Sequence, residues 1–491
     1  MAEERRQVRG AAYERAESDY MDKRQLRSGA AGWVLLAGLG IAYVISGDYA
    51  GWNFGLAEGG WGGLLIATIL MAIMYTCMVL GLAELSSTLP VAGAGYGFAR
   101  RALGPLGGFA TGTAILIEYA VAPAAIVIFI GGYVESLDIL GLEAGWPLYL
   151  AFYIVFVGIH LYGVGEALKL MFVITAIAVV GLVVFSVGMI PEFSASNLTD
   201  IAPDPSASGS SDFLPFGYAG VLSAFVYGIW FFLAIEGVPL AAEETRDPKR
   251  DMPKGIITGM IVLLIFAALI LTLGPGGSGS EALADSDNPL PDALTVAYSD
   301  NAFIKEFVNY IGLFGLIASF FSIIYAYSRQ LFALSRAGYL PRVLSVTTGR
   351  RTPAVALIVP GLIGFLLASI YAEATSPAEA GARMIQIAVF GATVSYVLMT
   401  LSHIVLRRTE PDLERPYRTP GGVVTTGVGF VLAVAAVIAV FFVDETAAAI
   451  TAAVFLVALA YFWLYSRHHL VADAPEEEFE AIERAEAELA G

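Results

Sequence analysis

Three carboxylates stand inside apolar runs of this 491-residue chain. Asp48 lies in VISGDYAGWNFG (44–55), Glu118 in TAILIEYAVAP (113–123), and Glu236 in FVYGIWFFLAIEGVPLAAEE (225–244). An acid at the centre of a membrane helix costs about 2.5–3.5 kcal/mol, so each is a candidate for binding a cation or a proton. Ser46 and Gly47 precede Asp48, and Gly237 and Pro239 follow Glu236. Glycine and proline weaken a helix. A helix unwound there exposes N–H and C=O groups that lipid cannot satisfy, a state tolerated where they line a polar cavity. Asp48 reads as an ammonium counter-ion or ion ligand, or else as a helix-end cap. Glu236 reads as a substrate contact, or as a residue that stabilises the break or gates it. Glu118, with Tyr119 beside it, reads as a binding group or as a hydrogen-bond anchor.

Other side chains join these three. Trp230, Phe231 and Phe232 precede the second weak point. Their rings could cover an ammonium by cation–π contact worth about 0.5–2 kcal/mol, or simply pack. Ala234, Ile235 and Gly237 complete that stretch of the candidate substrate site. Ser319, Ser322 and Tyr325 share one helical face and are candidates for an ion-coupling role, with helix packing as the alternative. His160 and His403 lie near span ends and read as interfacial residues, with a proton relay as the alternative.

The elements that must hold these groups follow from composition. The chain is 57% hydrophobic with 14% charged residues and a mean hydropathy of +0.72, which defines an all-α membrane protein. The apolar runs are about 20 residues long and uniform, unlike the alternating strands of a barrel. Twelve are read, at 31–57, 61–84, 106–134, 147–164, 167–190, 215–240, 255–274, 303–335, 353–372, 383–406, 422–443 and 447–466. No cleavable leader pattern occurs, so the first is expected to act as its own targeting signal. The single cysteine, Cys77, excludes an intramolecular disulfide. The four histidines form no ligand cluster and no phosphate-binding loop appears, so no metal, cofactor or direct use of ATP is expected. With a net charge of −17, no nucleic-acid partner is expected either; lipid is the partner of the outer faces. The acidity reads as a solvated surface, carried largely by loops and the tail PEEEFEAIERAEAELAG (475–491).

The loops alternate in charge. One set carries Arg5, Arg6, Arg9, Lys23, Arg24 and Arg27, and later Arg100, Arg101, Arg246, Lys249, Arg250, Arg336, Arg350, Arg407 and Arg467. The other set is acidic, with Lys305 and Arg383 only at span edges. Basic loops stay in the cytoplasm. Both termini are therefore expected inside a multi-pass protein of the cytoplasmic membrane. Segments one and six share the same acid-and-glycine interruption five helices apart, a pattern of transporters built from inverted repeats. The expected organisation is an N-terminal tail (1–30), a first five-helix repeat (31–190), a second (215–406), two further helices (422–466) and an acidic tail (467–491).

The stretch AELSSTLPVAGAGYGFARRALGP (83–105) and the loop PLAAEETRDPKRDMPKGI (239–256) resemble signatures of amino acid–polyamine–organocation permeases. SGDYAGWNFGLAEGGWGG (46–63), IEYAVAPAAIVIFIGGY (117–133) and FFLAIEGVPLAAEE (231–244) resemble the bacterial ethanolamine permeases more closely. The resemblance covers roughly residues 30–410. It implies a leucine-transporter-type fold with a central site between broken helices one and six. There are two departures. Amino acid permeases carry Gly-Ser-Gly and an apolar residue at the first break, where amides take the substrate carboxylate; here the break reads Ile45-Ser46-Gly47-Asp48. An added carboxylate repels another and attracts an ammonium. The lysine that some proton-coupled relatives carry in span five is absent, the stretch reading Ile174-Thr175-Ala176-Ile177-Ala178.

The expected function is a secondary transporter importing a small primary amine, ethanolamine, by alternating access, coupled to a proton or to sodium. The alternative is a carrier of neutral or cationic amino acids on the same scaffold. An amine sensor is a further class, distinguished by binding without flux. No nucleophile–base pair or metal cluster supports an enzyme.

Overall fold

The computed structural model describes residues 6–8, 10–14, 19–298, 302–472, 474, 475 and 477. Arg5, Arg9 and the acidic stretch 478–491 lie outside these residues. The helices are α1 (Trp33–Val44), α2 (Ser46–Tyr49), α3 (Phe54–Thr88), α4 (Gly95–Ser136), α5 (Trp146–Tyr162), α6 (Val164–Met189), α7 (Gly217–Ser223), α8 (Phe225–Trp230), α9 (Pro248–Ser278), α10 (Ser280–Ala284), α11 (Pro289–Ala297), α12 (Ala302–Arg336), α13 (Ala354–Ala374), α14 (Pro377–Thr409), α15 (Val423–Val443) and α16 (Glu445–Leu464). Among the described residues, ten helical stretches are long and apolar enough to cross a membrane, and α1 and α5 are shorter apolar helices.

The outer helices invert the pattern of a soluble protein. On α13, Leu362, Leu366 and Ile370 are 54%, 45% and 61% exposed, a row at i, i+4 spacing. Its inner face is built of Gly361, Gly364 and Ala368, which bring the backbone against Tyr153 and the Ala120 carbonyl. Large apolar groups outside and small ones inside suit a helix that meets lipid on one face and helices on the other. Burial sorts centre from rim: the apolar window of α4 is 89% buried, that of α16 only 22%. Residues 217–244, α12 and α14 join α4 at the centre.

Several expected boundaries move. Helix α4 starts at Gly95, not 106, and bends at Gly104 before Pro105. Helix α3 joins the end of the first expected span to the second and bends at Gly60. The tails are not simply solvated. Strands β1 (Arg6–Val8), β2 (Ala11–Glu14) and β3 (Leu470–Val471) form one small sheet, with β2 antiparallel to β1 and parallel to β3. This sheet brings residues 11–14 and 470–471 to the face of the bundle that holds Arg336 and Tyr339.

Candidate functional site

Two interruptions meet at the centre of the bundle. Residues Ser46–Tyr49, expected to be unwound, form one helical turn behind a hitch at Ile45, whose carbonyl accepts the Asp48 N–H at 3.1 Å. The irregular backbone comes a turn later: Ala50 is extended and Gly51 has φ +88°. In the second interruption α8 ends at Trp230, residues 231–234 turn, and a 3₁₀ helix runs Ile235–Glu244. Ala234 sits at φ 79°, a left-handed conformation costly for a residue with a Cβ. The two stretches touch: a Cβ on Gly47 would lie 2.5 Å from the Trp230 carbonyl oxygen. Only glycine permits that approach.

Side chains from other helices satisfy the freed backbone groups. Ser319 Oγ donates to the Ala42 carbonyl at 2.7 Å and accepts the Ser46 N–H at 2.9 Å. Tyr133 OH donates to the Tyr49 carbonyl at 3.0 Å, and Trp230 Nε1 to the Ala50 carbonyl at 2.9 Å. Asn53 accepts the Gly51 N–H and donates to the Leu283 and Ser286 carbonyls. A buried backbone needs this full complement.

The three acids do not form one cluster. Glu118 and Glu236, both buried, come within hydrogen-bonding range of each other, and Tyr119 OH donates to Glu236 Oε1 at 3.0 Å. Beside them the Tyr75 hydroxyl donates to the Tyr396 hydroxyl at 2.7 Å. No described donor reaches either oxygen of Glu118. Two carboxyls in contact need a proton between them, because a carboxylate only accepts. Asp48 stands apart. It is fully buried, and among the described residues neither of its oxygens meets a donor and no charged side chain acts on it.

The aromatic residues divide. Trp230 lines a cavity of about 10 Å³ with Tyr43, Val44, Ser46, Leu233 and Ile323, near the minimum for one water. Phe231 packs on Trp52 and Phe232 on Tyr75, with ring centroids 5.8 Å and 5.5 Å apart. Ile235 packs toward Gly40 of α1. Gly237 lies under Tyr119 and Tyr43, where a Cβ would meet the Tyr119 hydroxyl at 2.8 Å. The expected ion-coupling face is engaged within the protein. Ser319 bridges the first interruption, Ser322 Oγ donates to the Ser319 carbonyl at 3.0 Å, and Tyr325 donates to Glu244. His160, read as interfacial, is buried with Nε2 2.8 Å from the Phe321 carbonyl oxygen.

Sequence reading overlooked the ion pairs that close one end of the site. Glu244 and Arg329, 0% and 1% exposed, pair at 2.9 Å. Glu243 pairs with Arg336, whose backbone carbonyl takes the Tyr20 hydroxyl at 2.8 Å. Glu84 faces Arg407 at 2.5 Å, Arg415 at 3.0 Å and His403 at 3.3 Å. Glu477 of the tail lies on Arg100 at 2.5 Å, with the hydroxyls of Tyr13 and Tyr96 donating to it. Arg329 stands inside FFSIIYAYSRQLFALSR (320–336). The rule that singles out Glu118 applies to it equally.

The fold and its central interruptions define a helical membrane protein of the transporter type. The chain belongs to the amino acid permease family, whose sequence profile, described as "Amino acid permease", matches residues 34–478. It is similar to an uncharacterised transporter of Rhizobium meliloti, 30% identical, over 82% of this chain and 84% of the relative. It is also similar to the branched-chain amino acid permease BcaP of Bacillus subtilis, 28% identical over 83% of this chain and 86% of the relative. A third relative is the methylthioribose transporter of the same organism, 25% identical over 78% and 80%. The chain is thus a transporter and not an enzyme.

Proposed function

We propose that this permease carries a small primary amine, ethanolamine, across the cytoplasmic membrane by alternating access. The observation that supports this best is the central pair Glu118 and Glu236, which no cationic side chain among the described residues pairs with. An ammonium is the complement such a pair lacks, since a buried charge must be matched. The Ser46 amide, where an amino acid's carboxylate would be received, is already bonded to Ser319. The substrate hydroxyl is assigned to Ser46 or neighbouring backbone. Asp48 would add a hydrogen-bond acceptor near the first interruption.

In this reading α1 with residues 54–59 is the first span, and α3 beyond Gly60 the second. Twelve spans then result, ten of them in two inverted repeats at 31–190 and 215–406. The face bearing β1–β3 is cytoplasmic. The 10 Å³ cavity belongs to a closed stage of the cycle.

The relative named for branched-chain amino acids supports a second reading, an amino acid carrier in which Asp48 is structural. The relative named for methylthioribose supports latitude in substrate within the family. Uptake of labelled ethanolamine into proteoliposomes, competed by ethanolamine, alanine, arginine and choline, separates them. Competition by ethanolamine alone is expected. Competition by alanine or arginine would install the second reading.

A further inference from the structure

The central pair also constrains how transport is driven, an inference that rests on the amine reading. The groups facing it are hydroxyls. Tyr119 comes from α4 itself, Tyr75 from α3, Tyr396 from α14 and Tyr43 from α1. The guanidinium of Arg329, which also acts on Tyr43, is bound to Glu244, and no ion pair to Glu118 or Glu236 occurs among the described residues. Asp48 is beyond their reach. The pair therefore has to balance its own charge with mobile ions.

Moving a net charge through a closed, apolar site is costly. Two forms of the pair avoid it. In the empty form both carboxyls are protonated. In the loaded form one carboxylate faces the ammonium and the other carboxyl keeps its proton, donating across to its neighbour. The difference between them is one ammonium for one proton. We propose that Glu118 and Glu236 make this permease an electroneutral exchanger, in which one monovalent ammonium crosses in one direction for each proton crossing in the other. The proton leaves a carboxyl oxygen for water on the side where the amine enters, and is replaced on the side where the amine departs. Asp48 stays in one protonation state throughout.

The experiment uses the purified full chain in proteoliposomes with labelled ethanolamine, and subtracts protein-free vesicles to remove diffusion of the neutral amine. Counterflow at equal pH comes first. Its absence would overturn the amine reading and this inference with it. With counterflow present, an inside-acid gradient at zero potential should accelerate protein-dependent uptake, towards about tenfold accumulation per pH unit. A negative-inside potassium potential at equal pH should leave uptake unchanged. Uptake driven by that potential and indifferent to the pH gradient would overturn the exchange while leaving the substrate assigned. The Glu118→Gln/Glu236→Gln double variant should lose gradient-driven uptake by at least about 100-fold. Retained exchange there would also overturn the proposal. The wild-type gradient arms decide the matter even where that variant does not fold.

Discussion

Two sets of buried acids in this molecule are treated in opposite ways. At the tail-bearing end, Glu84, Glu244 and Glu477 each lie on an arginine. At mid-bundle, Asp48, Glu118 and Glu236 have none among the described residues. The same side-chain chemistry, equally removed from water, is closed by the chain in one place and left open in the other. A permanent pair holds elements together, whereas an uncompensated acid waits for a partner that comes and goes. The difference teaches where structure ends and transport begins.

Breaking a paired acid should have the largest effect. Arg329→Ala strands Glu244 without its counter-charge and should cost about 3–5 kcal/mol. A thermal-unfolding series in detergent measures this, and replacing both partners by apolar residues should recover most of the loss. Arg100→Ala should cost less, about 2–3 kcal/mol, because two hydroxyls, of Tyr13 and Tyr96, still donate to Glu477, whereas Glu244 keeps only that of Tyr325 among the described residues. Equal losses for the two variants would mean that the second hydroxyl on Glu477 adds nothing.

The mid-bundle acids sharpen the contrast. Asp48→Asn should leave stability within about 1 kcal/mol, since no ion pair is lost, yet weaken ethanolamine uptake. Unchanged uptake kinetics would remove Asp48 from the binding site. Smallest of all is Arg101→Ala. Its partner Glu410 is 31% exposed, so the change should be at most about 1 kcal/mol and fade as salt is raised.

The centre of the fold was legible because mid-span acids and glycines carry a stated cost in lipid. Asp48, Glu118 and Glu236 stood out for that reason alone. What a linear pattern lacks is direction around the helix axis. Asp48 follows Gly47 by one residue, about 100° on, which is enough to turn it away from the contact with Trp230. The ion-pair end stayed hidden for another reason. Glu244 and Arg329 are separated by 85 residues; Glu244 reads as an ordinary span-end charge, and nothing in the linear sequence marks it as the partner of the mid-span Arg329. Break positions slipped by a turn because Ser46–Tyr49 can complete their bonds to Ile45 and Ser319, whereas Ala50–Asn53 depend on Trp230 and Asn53 itself.

The bond from Arg100 to Glu477 has a consequence in time. The partners are 377 residues apart. At about 5–20 residues per second, a ribosome takes roughly 20–75 s to travel from one to the other. Throughout that interval the nascent bundle holds an arginine whose counter-charge has not yet been made. The interval ends only when the segment beyond α16 emerges and β3 settles beside β2. Maturation of this carrier therefore has a late, datable step, and a chaperone that shields Arg100 has a window in which to act.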